Sequence, residues 1–258
     1  MDYWQKLEKP LHRDLEWNFP EQKSGTISVI GGSRGSFASI IHLAEALENY
    51  PVAKIKTFLP DSLKKTLPPL PGVEFLKSTD SGSFDRSPEL AAAFRDTNAV
   101  LLAGDFSKNS ATSIAILESA QQSERPLFIA RDAVDTLSIG TAEMIDDHDL
   151  FLFASMAQLQ KLFRTLLYPK MLMLSHPLLS TIETLHKFTL SYERVVIVTL
   201  HEGQIIIAYR GKIFTIPLEK TSQTTLSFFT GTLPADLLAY NLWNPGKPLE
   251  ASSAALFR

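Results

Sequence analysis

Two glycine turns carry the residues best suited to chemistry in this chain. At the first, the β-branched run Thr26-Ile27-Ser28-Val29-Ile30 gives way to Gly31-Gly32-Ser33-Arg34-Gly35, and a helix-like stretch follows. A strand, a tight turn and a helix start together present free backbone N–H groups and the positive end of a helix dipole, which hold an anion. Glycine lets the ligand approach the backbone closely. A tight turn with nothing bound is the competing reading. The second turn is Thr230-Gly231-Thr232-Leu233-Pro234-Ala235-Asp236. Thr232 suits a helix N-cap, Pro234 the first helical positions and Asp236 the first turn, where dipole and carboxylate attract. As a general base, Asp236 needs a substrate hydroxyl within hydrogen-bond reach.

Other candidates are weaker. Asp132 follows the apolar run 127–130 and so stands at a strand's carboxyl end, where open α/β sheets collect ligand groups. Aspartate is also the ordinary residue of a turn, and that reading is preferred here. The histidines at 42, 148, 176, 186 and 201 show no metal-ligand spacing. Asp146-Asp147-His148-Asp149 reads as a solvated loop ahead of a strand. The chain has no cysteine, which excludes disulfides, thiolate metal sites and a cysteine nucleophile. Gly31 to Gly35 lacks the dinucleotide fingerprint spacing, and no acid ends a second strand about 20 residues on, which argues against a Rossmann-type oxidoreductase.

The elements that must hold these turns alternate. Strands are expected over 26–30, 52–59, 73–76, 99–103, 127–130 and 150–154, and helices over 37–49, 88–95, 110–121 and 156–167. Asp61 is expected to N-cap a helix, and Leu67-Pro68-Pro69-Leu70-Pro71-Gly72 to form a connector. His176-Pro177 marks a further helix start. Three strand-like runs at 195–200, 204–209 and 212–216 are split by Glu202-Gly203 and Arg210-Gly211, which read as hairpin turns. Helices over 234–241 and 249–257 close the chain. Residues 1–24 read as an N-terminal arm packed by Tyr3, Trp4, Trp17 and Phe19, with residues 25–258 forming a single domain. The order predicts a three-layer α/β/α fold, its sheet mostly parallel with antiparallel edge strands near the C-terminus.

At 258 residues and 45% hydrophobic content the chain can bury one large core. A net charge of −3 gives no electrostatic footprint for nucleic acid. No apolar run is long enough to cross a bilayer, and Met1 to Lys6 has no signal-peptide character, so a cytoplasmic protein is expected. On the last helix, Leu249, Ala255, Leu256 and Phe257 are expected to be buried within the domain, with a homo-oligomer contact as the alternative.

The order of elements and the two turns resemble the ribokinase-like superfamily, in particular the ADP-dependent NAD(P)H-hydrate dehydratases, a carbohydrate kinase-related family. Val29-Ile30-Gly31-Gly32-Ser33 leading into Ala38-Ser39-Ile40-Ile41-His42-Leu43-Ala44-Glu45-Ala46-Leu47 is similar to that family's "GGS…GA…LA…AL" opening at the substrate site. Ala99 to Gly104 resembles the strand before its "GPGLG" turn, and Pro126 to Ala133 its "P…VLDADAL". Val195 to His201 falls at "VVLKG", and Gly231-Thr232 with Asp236 at "GSGD". The resemblance implies a small-molecule nucleotide substrate: ADP or ATP, with Mg, phosphorylates a hydrated nicotinamide hydroxyl, and loss of phosphate restores NADH or NADPH. It implies Asp236 as base, Gly231, Thr232 and His201 at the nucleotide, and Gly31, Gly32, Ser33 and Asp132 at the substrate. Departures are specific. Leu233-Pro234-Ala235 separates Gly231-Thr232 from Asp236, Leu200-His201 stands for lysine-glycine, and Ser155-Met156-Ala157-Gln158 lacks the histidine and carboxylate of "HPGE". Proline also removes an N–H that an anion hole would use. An active dehydratase and a non-catalytic relative of the same fold are therefore both open.

Overall fold

The computed structural model describes residues 2–9, 13–33, 36–107, 109–136 and 141–258. Arg34 and Gly35 of the first turn, and Pro10 of the arm, lie outside the described residues. In chain order the elements are β1 (Trp4–Lys6), β2 (Ser24–Gly31), α1 (Ala38–Leu47), β3 (Val52–Pro60), β4 (Val73–Leu76), α2 (Pro88–Arg95), β5 (Ala99–Ala103) and α3 (Ser110–Gln121). Then come β6 (Leu127–Ala130), α4 (Ala133–Thr136), α5 (Thr141–Asp147), β7 (Leu150–Phe153), α6 (Met156–Thr165) and α7 (Leu178–Ser191). The chain closes with β8 (Val195–His201), β9 (Gln204–Tyr209), β10 (Lys212–Pro217), α8 (Thr225–Thr230), α9 (Leu233–Leu242) and α10 (Pro248–Leu256).

Ten strands form one sheet in the order β1-β10-β9-β8-β7-β6-β5-β2-β3-β4. β9 runs against both its neighbours, and the other described pairings are parallel. Both hairpin turns form as expected. Glu202 and Gly203, then Arg210 and Gly211, all take positive φ, the backbone that a two-residue turn between twisted strands requires. The meander does not form the sheet's edge, however. β1 lies outside it, parallel to β10 in the register Trp4↔Ile213, and Trp4 Nε1 donates to Thr215 Oγ1 at 3.0 Å. Three residues with no apolar alternation carry no strand signal of their own; the exposed ladder of β10 supplies the pairing.

Side chains of the central strands alternate between two cores, one on each face. In β5, Val100 and Leu102 join the core under α2, α3 and α7, whereas Ala99, Leu101 and Ala103 join the one under α1, α9 and α10. A strand covered on both faces has no polar side to show, so it reads as an unbroken apolar run. The helices start on local signals. Ser87 accepts the Leu90 N–H ahead of Pro88 in α2, Asn109 caps α3, and Ser155 with Gln158 forms a capping box on α6.

Two further local expectations are corrected. Pro60, not Asp61, precedes the short 3-10 turn Asp61–Leu63, and Asp61 instead accepts the Ser78 N–H at 3.1 Å. Asp146 and Asp147 end α5 rather than lying in a loop, because Met144 and Ile145 are buried and hold that turn to the core. His148 is buried beside them, and Asp149 pairs with Arg194 at 3.0 Å. Leu249, Ala255 and Leu256 are buried within the domain, the preferred of the two expectations for the last helix.

Candidate functional site

The carboxyl ends of β2, β5 and β6 lie side by side, and the first glycine turn sits at that edge. A Cβ on Gly31 would stand 1.8 Å from the Ala103 carbonyl oxygen, so glycine here is what lets β2 and β5 close together. Gly32 and Gly104 both have positive φ, and a Cβ on Gly104 would lie 3.6 Å from the Gly32 nitrogen. The turns that follow β2 and β5 are thus in contact. Ser33 is buried, and its polar groups have internal partners: its N–H donates to Ser36 O at 3.0 Å, and its hydroxyl to Asp105 Oδ2 at 3.2 Å. The other Asp105 oxygen accepts the Ser107 N–H at 2.7 Å. A phosphate entering at Ser33 would meet the Asp105 carboxylate.

At the end of β6, Arg131 takes φ +60, a conformation that costs a non-glycine residue free energy. Gln158 Nε2 fixes its carbonyl at 2.8 Å. Its guanidinium crosses to the second turn, where Nη2 donates to the Gly231 carbonyl at 2.7 Å and to the Thr230 carbonyl. Asp132 beside it is exposed, and its carbonyl accepts the Asp135 N–H at 3.0 Å in the turn that opens α4.

The second turn is built for packing. Gly231 closes α8: its N–H donates to Ser227 O at 2.7 Å, and a Cβ there would lie 2.4 Å from the same oxygen. Thr232 precedes α9 without a side-chain cap bond, and Pro234 falls among the first two helical positions. Asp236 Oδ1 accepts the Tyr50 hydroxyl at 2.7 Å and lies 3.8 Å from Arg258 Nη1. The Arg258 guanidinium carbon stands 4.5 Å over the Tyr50 ring, so acid, phenol and cation form one cluster. Burial raises the Asp236 pKa against the opposing pull of Tyr50 and Arg258, and burial together with Asp236 holds the Tyr50 hydroxyl well above the ordinary phenol range. Tyr50 lies beyond the C-terminal end of α1 and Ser33 ahead of its N-terminal end, about 15 Å of helix between them. Ser33 and Asp236 therefore share no bonding partner among the described residues.

His201, buried at the end of β8, has Nε2 2.7 Å from the His176 carbonyl, and neighbouring Glu202 accepts the Leu178 N–H at 3.0 Å. Both fasten the start of α7 to the β8–β9 turn. The residues that the sequence did not single out for the site are Arg131, Tyr50 and Asp105. Asp105 was visible as an acid after Gly104 in a position where the related motif has none. Nothing in the sequence marks Tyr50, whose partner lies 186 positions away.

This donor set does not fit a nucleotide's phosphates as a transfer site. The Gly231 amide is spent on Ser227, Pro234 has no amide hydrogen, and Asp105 brings negative charge to the first turn. Among the described residues no group of three or more histidine, aspartate or glutamate side chains is placed to hold a metal ion.

The raised Asp236 pKa sets a direction for stability. Between the ordinary carboxylate value and its own raised one, the folded chain holds the proton more tightly than the unfolded chain. Stability from this group is therefore full below that window and falls as pH climbs through it. Asp236→Asn keeps a hydrogen-bond acceptor for Tyr50 and removes the titration. Urea midpoints measured from roughly pH 4 to 7 should fall more steeply for the wild type than for D236N; equal slopes would refute the assignment.

No protein-family model and no curated protein sequence matches the chain. Solved structures do. The hypothetical protein SMU.573 from Streptococcus mutans shares 16% identity at a TM-score of 0.63, over 97% of this chain and 84% of that one. Bacillus subtilis YxkO, a member of the UPF0031 family, shares 16% at 0.61, over 94% and 84%. Bacillus subtilis ADP/ATP-dependent NAD(P)H-hydrate dehydratase, co-crystallised with ATP and Mg2+ and soaked with CoA, shares 16% at 0.60, over 97% and 87%. At this identity the likeness establishes the fold, which is ribokinase-like.

Proposed function

We propose that this chain is a non-catalytic relative of the nucleotide-repair dehydratases whose fold it shares, acting through binding rather than phosphoryl transfer. One observation carries the reading: the acid nearest the second turn is bonded to Tyr50 and Arg258, while the turn itself is closed by Ser227, Pro234 and Arg131. Losing such transition-state donors costs on the order of 3 kcal/mol each. The test incubates the protein with hydrated NADH and ADP and follows the return of NADH absorbance. The expected result is no recovery at protein concentrations equal to substrate. Recovery that D236N abolishes would overturn the proposal.

A second reading keeps the dehydratase activity, with Asp236 as base, Gly231, Thr232 and His201 toward ADP or ATP, and Gly31, Gly32, Ser33 and Asp132 toward the hydrated nucleotide. The burial that raises the Asp236 pKa favours it, since a general base works best with a pKa moved toward the operating pH. It requires Tyr50 to release the carboxylate. Calorimetry with ADP, ATP, NAD and NADP separates a binding protein from one with no affinity for these ligands.

A further inference from the structure

The chain between α6 and α7 breaks two rules at one residue. Leu167 closes α6, its N–H donating to Arg164 O at 3.1 Å and the next N–H, from Tyr168, to Phe163 O at 2.9 Å. Glycine or asparagine is the usual residue at such a helix end, because φ is positive there. Here φ is +50, and the leucine side chain is 88% exposed. Met171 and Leu174 follow at 59% and 57%, with Met173 also exposed. Leu167, Met171, Met173 and Leu174 thus leave apolar surface exposed along one short segment, of the kind that marks a recognition site, and methionine adapts to irregular partners.

The patch is hollow. A groove of about 440 Å3 runs beside it, walled by Phe163 and Tyr168 and rimmed by Leu167 and Met171. Both charged residues that line it, Arg164 and Lys170, are cationic, and neither forms an ion pair among the described residues. Lys187 on α7 is close enough to Lys170 for the two charges to repel, with Glu183 the acid nearby. A chain of net charge −3 thus gathers positive charge around its exposed apolar groove. A second copy docking through the same face would set these cations against each other. The concave shape suits an inserted segment better than a flat lipid surface.

We propose that this groove docks an acidic amphipathic helix of a partner protein, its apolar residues against Leu167, Tyr168 and Met171 and its carboxylates toward Arg164 and Lys170. The inference goes beyond the reading of the glycine turns and does not depend on it. The probe is a fluorescein-labelled helical peptide with leucines at i, i+3, i+4 and i+7 and flanking glutamates, beside the same peptide with flanking lysines. Fluorescence anisotropy at low salt should show binding of the glutamate peptide that weakens as salt is added. The double variants Leu167→Asp/Met171→Asp and Arg164→Glu/Lys170→Glu should each weaken it by about tenfold or more. Exposed positions leave the fold intact, which circular dichroism checks. Equal binding of both peptides, no binding of the glutamate peptide, or binding that the variants leave unchanged would overturn the proposal. So would loss in the variants of binding to phosphatidylcholine–phosphatidylserine vesicles or of a concentration-dependent dimer, with the peptide inert.

Discussion

Gly31→Ala is expected to cost about 4 kcal/mol or to abolish folding outright, well above the common 1–3 kcal/mol of an overpacked core. The added Cβ would sit 1.8 Å from the Ala103 carbonyl oxygen, 2.9 Å from its carbonyl carbon and 2.9 Å from Ile40 Cδ1. Ile40 can turn its side chain aside. The carbonyl cannot, because it belongs to β5, which is hydrogen-bonded to β2 on one side and to β6 on the other. Relief therefore means parting two central strands. Domains hold only about 5–15 kcal/mol in total, and at this size each kcal/mol lowers Tm by roughly 2–4 °C. Thermal and urea unfolding of G31A should show a drop of about 8–16 °C. Gly203→Ala is the control: its φ is positive, unlike that of Gly31, but nothing lies within 4 Å of the added atom, so it should lose only about 1–2 kcal/mol to backbone strain. A G31A protein as stable as G203A would show that the two strands do not approach this closely.

The second large effect belongs to the aromatic cluster beneath α7. Phe188 is fully buried, stacked on Phe163 at 4.2 Å between ring centres, with Tyr168 at 5.1 Å and Tyr192 at 4.7 Å. Phe188→Ala should cost about 3–5 kcal/mol, since three surrounding rings cannot collapse into the space of a lost one without leaving their own contacts. Two residues further along the same helix, exposed Leu190→Ala should stay within about 0.5 kcal/mol. Urea midpoints of the pair measure the difference, and an F188A loss below about 1.5 kcal/mol would mean that the cluster repacks. Because Phe163 and Tyr168 also wall the groove beside α6, F188A should weaken the glutamate peptide as well.

The sequence revealed most where one local signal decides the structure. The runs at 99–103, 127–130 and 204–209 are strands with the bounds read from them, and those at 88–95 and 110–121 are helices with theirs. Apolar runs between turn residues, or a cap followed by a periodic face, decide these elements. α8 went unread because six residues are too few for a periodic signal, and β1 because its pairing partner lies about 200 positions downstream. The candidate site was legible as two glycine turns at strand and helix ends. It was not legible that a guanidinium from a left-handed Arg131 would bind the carbonyls of the second turn, nor that Asp236 would find Tyr50. Those outcomes depend on which side chains the completed sheet brings together, and no local pattern encodes them.

β1 has a consequence for biosynthesis. Trp4 bonds to a threonine 211 positions later, so on the ribosome β1 must wait for all of those residues before it has a ladder to join. At roughly 5–20 residues per second that delay is about 10–40 s. During it β1 is unpaired, and once β10 emerges its open edge is a template for any other extended chain until β1 covers it. A nascent-chain holdase that shields the first dozen residues would raise the yield of native protein more than one acting on the central strands, which find their neighbours as they are made.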